Sequence, residues 1–397
     1  TMFLLFCWTI PKQYLSDKSM NLDQKYPALS DLRAVAQKRI PKFVWEYLTS
    51  ATGEETTLAR NRHGLDQILF MPSVLHGEFE PDTHVDLLGE RHPLPFGVAP
   101  VGMSGLIWPD AERRLAATAT AAGLPYTLST VACQTPETVG PHLGGKGWFQ
   151  LYPPRAIDIR KDTLKRAKDS GFRTLILTLD VPVASRRERQ TRSGLTHPPV
   201  LTPRLLAQIS LRPSWALGMV RFGRPTMPLI ESYAKPKLGM PTTAHIGYLI
   251  RTAPDWSYLN WIRDAWDGPL VVKGVLNAKD VAGLEAVGVD AIWLSNHAGR
   301  QFDAAPAVID VLPAIRQATD LPLIFDGGIS GGLDILRAIA LGADFIMLGS
   351  AWHYALAALG SMGPAHMIDI LRKDLHANMG QMGTKTLSEA KTRLIKR

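Results

Sequence analysis

Asp290-Ala291-Ile292-Trp293-Leu294-Ser295-Asn296-His297-Ala298-Gly299-Arg300-Gln301 sets an apolar run directly against a cluster of polar groups. The apolar half is short and unbroken, as in a parallel strand covered on both faces. The polar half places an imidazole three residues before a guanidinium, where such a strand would end. An imidazole can take a proton from a substrate that a guanidinium holds by its carboxylate. A His beside an Arg is more often a hydrogen-bonded structural residue, so the reading depends on what the rest of the chain repeats.

The same pattern recurs between Pro93 and Ser350: a short apolar run, a polar loop, then residues at helical spacing. The runs are 96–99, 126–129, 148–152, 174–180, 270–273, 291–295, 323–326 and 345–349. Helical patterns follow at 111–122, 136–139, 159–170, 278–287, 306–318 and 332–341. Gly123, Gly171, Gly288 and Gly342 stand where those helices should stop. This succession predicts an α/β fold, a (β/α)8 TIM barrel, with an N-terminal helical segment and a long insertion after the fourth strand. An open doubly wound sheet is disfavoured, because the first βα turn, Ala99-Pro100-Val101-Gly102-Met103, lacks the G-x-G-x-x-G phosphate turn.

Such barrels carry their active sites at the C-terminal ends of the strands. The residues there are Ser129, Gln150 with Tyr152, Thr178 with Asp180, Lys273, His297 with Arg300, Asp326, and Gly349 with Ser350. Polar groups at nearly every strand end exceed what a purely structural barrel needs.

Bulk composition fits a globular chain: 397 residues, 46% apolar, formal net charge +8. Cys7 and Cys133 give neither a disulfide framework nor metal-ligand spacing, which suits a reducing compartment and predicts no metal site. No basic stripe interleaved with aromatics is present, so nucleic acid is the partner least expected. Residues 1–20 are read as an uncertain N-terminal extension, with Met20 a candidate start. Residues 21–397 are read as a single barrel domain.

One connection breaks the regular spacing. Residues 182–267 far exceed a βα loop, and such insertions are commonly lids or binding loops. From Arg189 to Ile230 there is no Asp or Glu, while Arg189, Arg192, Arg204, Arg212, Arg221 and Arg224 alternate with Leu205, Leu206, Trp215, Leu217 and Phe222. This composition suits either a membrane interface or a lid with its arginines in water, over about 189–260. Pro203, Pro213 and Pro225 limit continuous amphipathic helix.

The run Ser295–Gln301 closely resembles the S-N-H-G-[GA]-R-Q signature of the FMN-dependent 2-hydroxy-acid dehydrogenases and oxidases. Pro41-Lys42-Phe43-Val44-Trp45-Glu46-Tyr47, residues 99–103, 149–152 and 177–180, and Val272-Lys273-Gly274 support the resemblance, which runs from about residue 26 to 387. The basic insertion is most similar to the membrane-associated L-lactate and (S)-mandelate dehydrogenase branch. The resemblance implies FMN as cofactor and oxidation of an L-2-hydroxy acid, L-lactate foremost, to the 2-oxo acid. It implies a quinone or another electron acceptor, a homotetramer, and a cytoplasmic protein held peripherally on the inner face of the cell membrane. His297 would be the base and Asp180 its orienting carboxylate. Arg187 and Arg300 would grip the substrate carboxylate, with Tyr47 and Tyr152 adding hydroxyl contacts. Lys273 would face the flavin N1–C2 carbonyl, and Ser129, Gln150 and Thr178 the ring edge. Ala99 and Val101 would offer backbone groups near the ring, and Ser295, Asp326, Gly327, Gly328, Ser330, Gly349 and Ser350 complete the cofactor site.

Two positions depart from the family pattern. Ser330 and Ser350 stand where arginines commonly hold the FMN phosphate, which leaves backbone N–H groups and hydroxyls and predicts weakened FMN binding. Other readings compete. An oxygen-using oxidase of the same family is one. A dihydroorotate dehydrogenase-like or isopentenyl-diphosphate isomerase-like barrel fits the Gly-rich loops, but not the His297/Arg300 pair. A non-catalytic relative that has lost its cofactor fits the two serines, but not the intact set of catalytic residue types.

Overall fold

The computed structural model describes residues 21–195, 200, 202–234 and 252–395. The expected extension at 1–20 and part of the insertion lie outside the described residues.

Eight parallel strands follow the repeat read in the sequence. After an antiparallel hairpin of β1 (Val85–Leu87) and β2 (Glu90–His92), they are β3 (Phe96–Val98), β4 (Thr127–Ser129), β5 (Gly147–Leu151) and β6 (Phe172–Thr178). The second half holds β7 (Leu270–Val275), β8 (Ala291–Leu294), β9 (Leu323–Phe325) and β10 (Phe345–Leu348). Their order is β3-β10-β9-β8-β7-β6-β5-β4, and a parallel bridge between Val98 and Tyr126 joins the two ends into a ring. All pairings are parallel, so every strand delivers its C-terminal residue to the same mouth.

The expected helices are present with shifted ends: Ala111–Ala121, Pro136–Val139, Ile157–Asp169, Val281–Val287, Val308–Ala318 and Gly332–Ala340. The 278–287 pattern begins as a short 3-10 turn at Ala278–Asp280 before the α-helix. Inside the ring, Trp148, Ile176, Val271, Trp293, Ile324, Phe345 and Met347 form one buried layer. The sequence reading did not foresee the hairpin. Its Leu87, 2% exposed, packs into that layer and closes the barrel at the end opposite the mouth.

Before the hairpin come helices Leu29–Arg39, Lys42–Thr49 and Thr56–Asp66. In the insertion the prolines limit the helices to two short ones, Pro203–Ser210 and Pro213–Phe222, with Pro203 and Pro213 each at the first turn, where a missing N–H costs nothing. Gln208 Oε1 accepts the Phe43 N–H (3.1 Å), and Trp215 Nε1 donates to the Leu106 carbonyl (3.0 Å). The Trp215 ring meets Phe43 edge-on at 5.9 Å, so this helix pair is anchored on elements beside the mouth.

The C-terminal helix Gly363–Met382 packs on Ser350–Leu359 so closely that a Cβ at Gly363 would lie 1.9 Å from the Ala355 carbonyl oxygen. Gly380, in the same helix, has nothing within 4 Å of the corresponding position. Gly363→Ala should therefore lose about 1–3 kcal/mol by overpacking. Gly380→Ala should gain about 0.5–1 kcal/mol from helix propensity. Urea unfolding midpoints of the two variants check both signs.

Candidate active site

The turn after β8 is the most constrained part of the mouth. His297 and Ala298 have φ of 54° and 53°, a left-handed region that side chains with a Cβ rarely occupy. The surroundings impose it. Asn296 and Asn61 exchange two amide hydrogen bonds (2.7 and 2.9 Å), and Gly299 is pressed so tightly on helix Thr56–Asp66 that a Cβ would meet the Leu58 nitrogen at 2.8 Å. The Ser295 hydroxyl accepts the His297 N–H at 3.1 Å.

The result is a fixed imidazole. His297 Nδ1 lies 3.2 Å from both carboxylate oxygens of Asp180, which follows β6. With the Nδ1 proton on Asp180, Nε2 is left as the accepting nitrogen, 3.5 Å from the Tyr152 hydroxyl. Burial pulls the imidazole pKa below its ordinary value of 6.5, against the upward pull of Asp180, and Lys273 and Arg187 act with the burial. Burial pushes the Asp180 carboxyl up, but His297 and Lys273 outweigh it and hold the acid below its usual range. The pair is thus a neutral base beside a carboxylate at neutral pH.

Two guanidinium groups approach the same space. Arg300 donates to the carbonyls of Tyr47 (3.2 Å) and Leu48 at the end of helix Lys42–Thr49. Burial, helped by Arg187, pulls its pKa down to about 10. The Tyr47 hydroxyl donates to the Gly102 carbonyl at 2.8 Å, and burial raises its pKa against the pull of Arg187 and Arg300. Arg187 begins a short helix in a left-handed conformation, φ 46°. Its neighbour Arg189, which the sequence reading left among the surface arginines, pairs with Glu46 and Glu55 at 3.0 Å each and ties this loop to Tyr47's helix.

A polar ladder crosses the next strand ends. The Ser129 hydroxyl donates to Gln150 Oε1 (2.9 Å), and Gln150 Nε2 donates to the Thr178 hydroxyl (3.0 Å). Register explains the level: Ser129 pairs with Gln150, and Thr178 with Lys273. Lys273 Nζ contacts Ser295 Oγ (2.5 Å) and Asp326 Oδ2 (2.9 Å), and the latter also accepts Trp293 Nε1 (3.0 Å).

Beyond Asp326 the mouth is built of backbone. Gly327 and Gly328 have φ of 109° and 83°, and Gly349 and Ser350 open helix Ser350–Leu359. Ser350 is half-buried and lines the cavity, whereas Ser330 is exposed and stands outside its lining.

These groups surround one cavity of about 470 Å³, within the range of ligand sites. Of the residues expected at the site, Asp180, Ser129 and Ser295 stand behind the lining and reach it through His297, Gln150 and Lys273. Asn61, Thr52, Arg189 and Met227 were not foreseen. Asn61 locks the His297 turn, Thr52 accepts the Arg187 N–H at 3.4 Å, and Met227 lines the cavity. None of them sits in a pattern that sequence spacing could flag.

Comparison with known proteins agrees with this geometry. The model of the FMN-dependent dehydrogenase family matches residues 36–397. An L-lactate dehydrogenase of Vibrio cholerae is 37% identical over 379 residues, covering 93% of this chain and 99% of that protein. The monotopic membrane protein (S)-mandelate dehydrogenase superposes with TM-score 0.89 at 33% identity, covering 94% of this chain and 100% of that one. A mandelate oxidase superposes with TM-score 0.79 at 30% identity, covering 94% and 98%. With a matched family model spanning nearly the whole barrel, the chain belongs to the FMN-dependent dehydrogenases.

Proposed function

We propose that the protein oxidises an L-2-hydroxy acid, L-lactate foremost, to the 2-oxo acid and passes the electrons to a quinone. The observation that carries this reading is the His297–Asp180 pair, whose imidazole shares one cavity with Arg187, Arg300 and Tyr47. A base alone would serve many reactions. A base beside two guanidinium groups selects a substrate with a carboxylate next to the carbon that reacts.

The residues present fit FMN. The Ser129–Gln150–Thr178 ladder offers amide and hydroxyl groups to the edge of a flat ring, and Lys273 brings a positive charge beside it. Ala99 and Val101 line the adjoining wall, and the Gly327–Gly328 and Gly349–Ser350 turns leave room for the ribityl phosphate. When bound, FMN would supply a two-electron acceptor.

The chain's own part is positioning and proton transfer. Arg187 and Arg300 hold the carboxylate, and the Tyr152 hydroxyl stands beside the base for the substrate oxygen. His297 Nε2 takes the substrate proton, and Asp180 stabilises the imidazolium that results. Tyr47, fixed on the Gly102 carbonyl, sets the wall against which the carboxylate packs.

Purified protein should carry a visible flavin band that L-lactate or (S)-mandelate bleaches under anaerobic conditions. His297→Gln should slow bleaching about 10²–10⁴-fold while keeping the band. A flavin that no 2-hydroxy acid reduces would sink the proposal. Reoxidation by quinone analogues supports the dehydrogenase reading, and fast reoxidation by oxygen would replace it with an oxidase. Tetrameric assembly is carried over from the resemblance as part of the same reading.

We further propose that the insertion rests on a membrane surface at the inner face of the cell membrane. No described helix is long and apolar enough to cross a membrane. Helices Pro203–Ser210 and Pro213–Phe222 bury Leu205 and Trp215, yet expose Leu206, Leu217 and Val220, the last at 84%, and Leu211 between them is exposed too. Arg204, Arg221 and Arg224 are exposed beside them. Exposed apolar and basic residues on helices anchored from the other side suit an anionic bilayer surface. Leu217→Asp with Val220→Asp should abolish co-sedimentation with anionic vesicles and leave soluble-acceptor turnover intact. Equal sedimentation of the variant and the parent would contradict the assignment.

A further inference from the structure

From the phosphate end of the cavity, and resting on the FMN reading above, we infer that this site discriminates poorly between FMN and riboflavin. Among the described residues, the phosphate would meet uncharged donors alone.

Among the described residues, the cationic side chains lining the cavity are Arg186, Arg187, Lys273 and Arg300. None belongs to the Gly-rich turns. Arg186 and Arg187 follow β6, which stands four places around the ring from β10. Lys273 is engaged by Ser295 and Asp326. Arg300 is within electrostatic range of His353, but its guanidinium donates to the Tyr47 and Leu48 carbonyls. Behind Gly328 lies Arg62, which donates to the Gly328 carbonyl (3.0 Å) and is matched by Asp66 and Asp334.

Part of the backbone at this end is also taken. Asp374 Oδ2 accepts the N–H of Gly332 (2.5 Å) and of Leu333 (3.3 Å), so an internal carboxylate caps helix Gly332–Ala340. Asp334 Oδ2 accepts the Ser330 N–H at 2.8 Å. The Ser330 hydroxyl is exposed and contacts the Gly328 carbonyl at 3.4 Å. What faces the cavity is the start of helix Ser350–Leu359, which no side chain caps, with the Ser350 hydroxyl. A helix start favours an anion by only a few-fold to about thirtyfold. A charge-assisted arginine contact would add about tenfold to a hundredfold. The ring end is fully built, so most of the flavin affinity comes from the part that FMN and riboflavin share.

The test is fluorescence titration of flavin-stripped protein with FMN and with riboflavin, at low and high salt. The parent should prefer FMN by less than about thirtyfold, with little salt dependence. Ser350→Arg should tighten FMN about tenfold or more, leave riboflavin unchanged, and introduce salt sensitivity. Ser330→Arg, at an exposed position, repeats the measurement should the first variant fold poorly. A parent preference above about thirtyfold, or no gain for FMN in a folded variant, would overturn the inference. Weak discrimination without bleaching by any 2-hydroxy acid would uphold it while removing the proposed oxidation.

Discussion

Closing eight parallel strands into a ring forces all their C-terminal ends around one opening, and this constraint organises everything else in the molecule. The ring has no freedom to place Ser129, Gln150, Thr178 and Lys273 elsewhere once their strands pair in register. Leu87 fills the opposite end, so the mouth is the end left open to a ligand. The geometry turns a linear list of polar strand ends into a continuous wall.

Within that wall the His297 imidazole is held by strain balanced elsewhere. Two consecutive residues in the left-handed region cost roughly 1–3 kcal/mol each. The Asn61–Asn296 pair and the tight seat of Gly299 on helix Thr56–Asp66 hold them there. The imidazole cannot swing away from Asp180, and burial keeps it neutral until a proton arrives. Rigidity is distributed unevenly around the mouth. The Gln150 and His297 sides are cross-linked by side chains, while the turns after β9 and β10 present backbone to the cavity, the former braced from behind by Arg62, Asp334 and Asp374.

The legible part of this structure was whatever carries a period or sits at the end of one. Alternation of apolar runs and helical spacing located the strands, and the strand ends located the cavity. What escaped needed contacts between distant segments. Pro203 and Pro213 mark the helix boundaries, as their spacing implies, but proline does not say what each helix packs against. The β1–β2 hairpin escaped because Val85-Asp86-Leu87 and Glu90-Arg91-His92 carry charges where the equally short β3 and β9 are unbroken apolar runs. Among Arg186, Arg187 and Arg189, sequence alone cannot say which points inward; the cavity takes the first two and Glu46 with Glu55 takes the third.

The central claim is that His297 is a buried, neutral base whose proton affinity Asp180 raises. The most direct measurement is the pH dependence of flavin reduction at low 2-hydroxy-acid concentration, which reports the free enzyme. Burial dominates, so the acid limb should lie below pH 6.5. In Asp180→Asn it should move lower still as the rate falls, because the group that favours the imidazolium is gone. An acid limb above that value, or one that rises in the variant, would contradict the account.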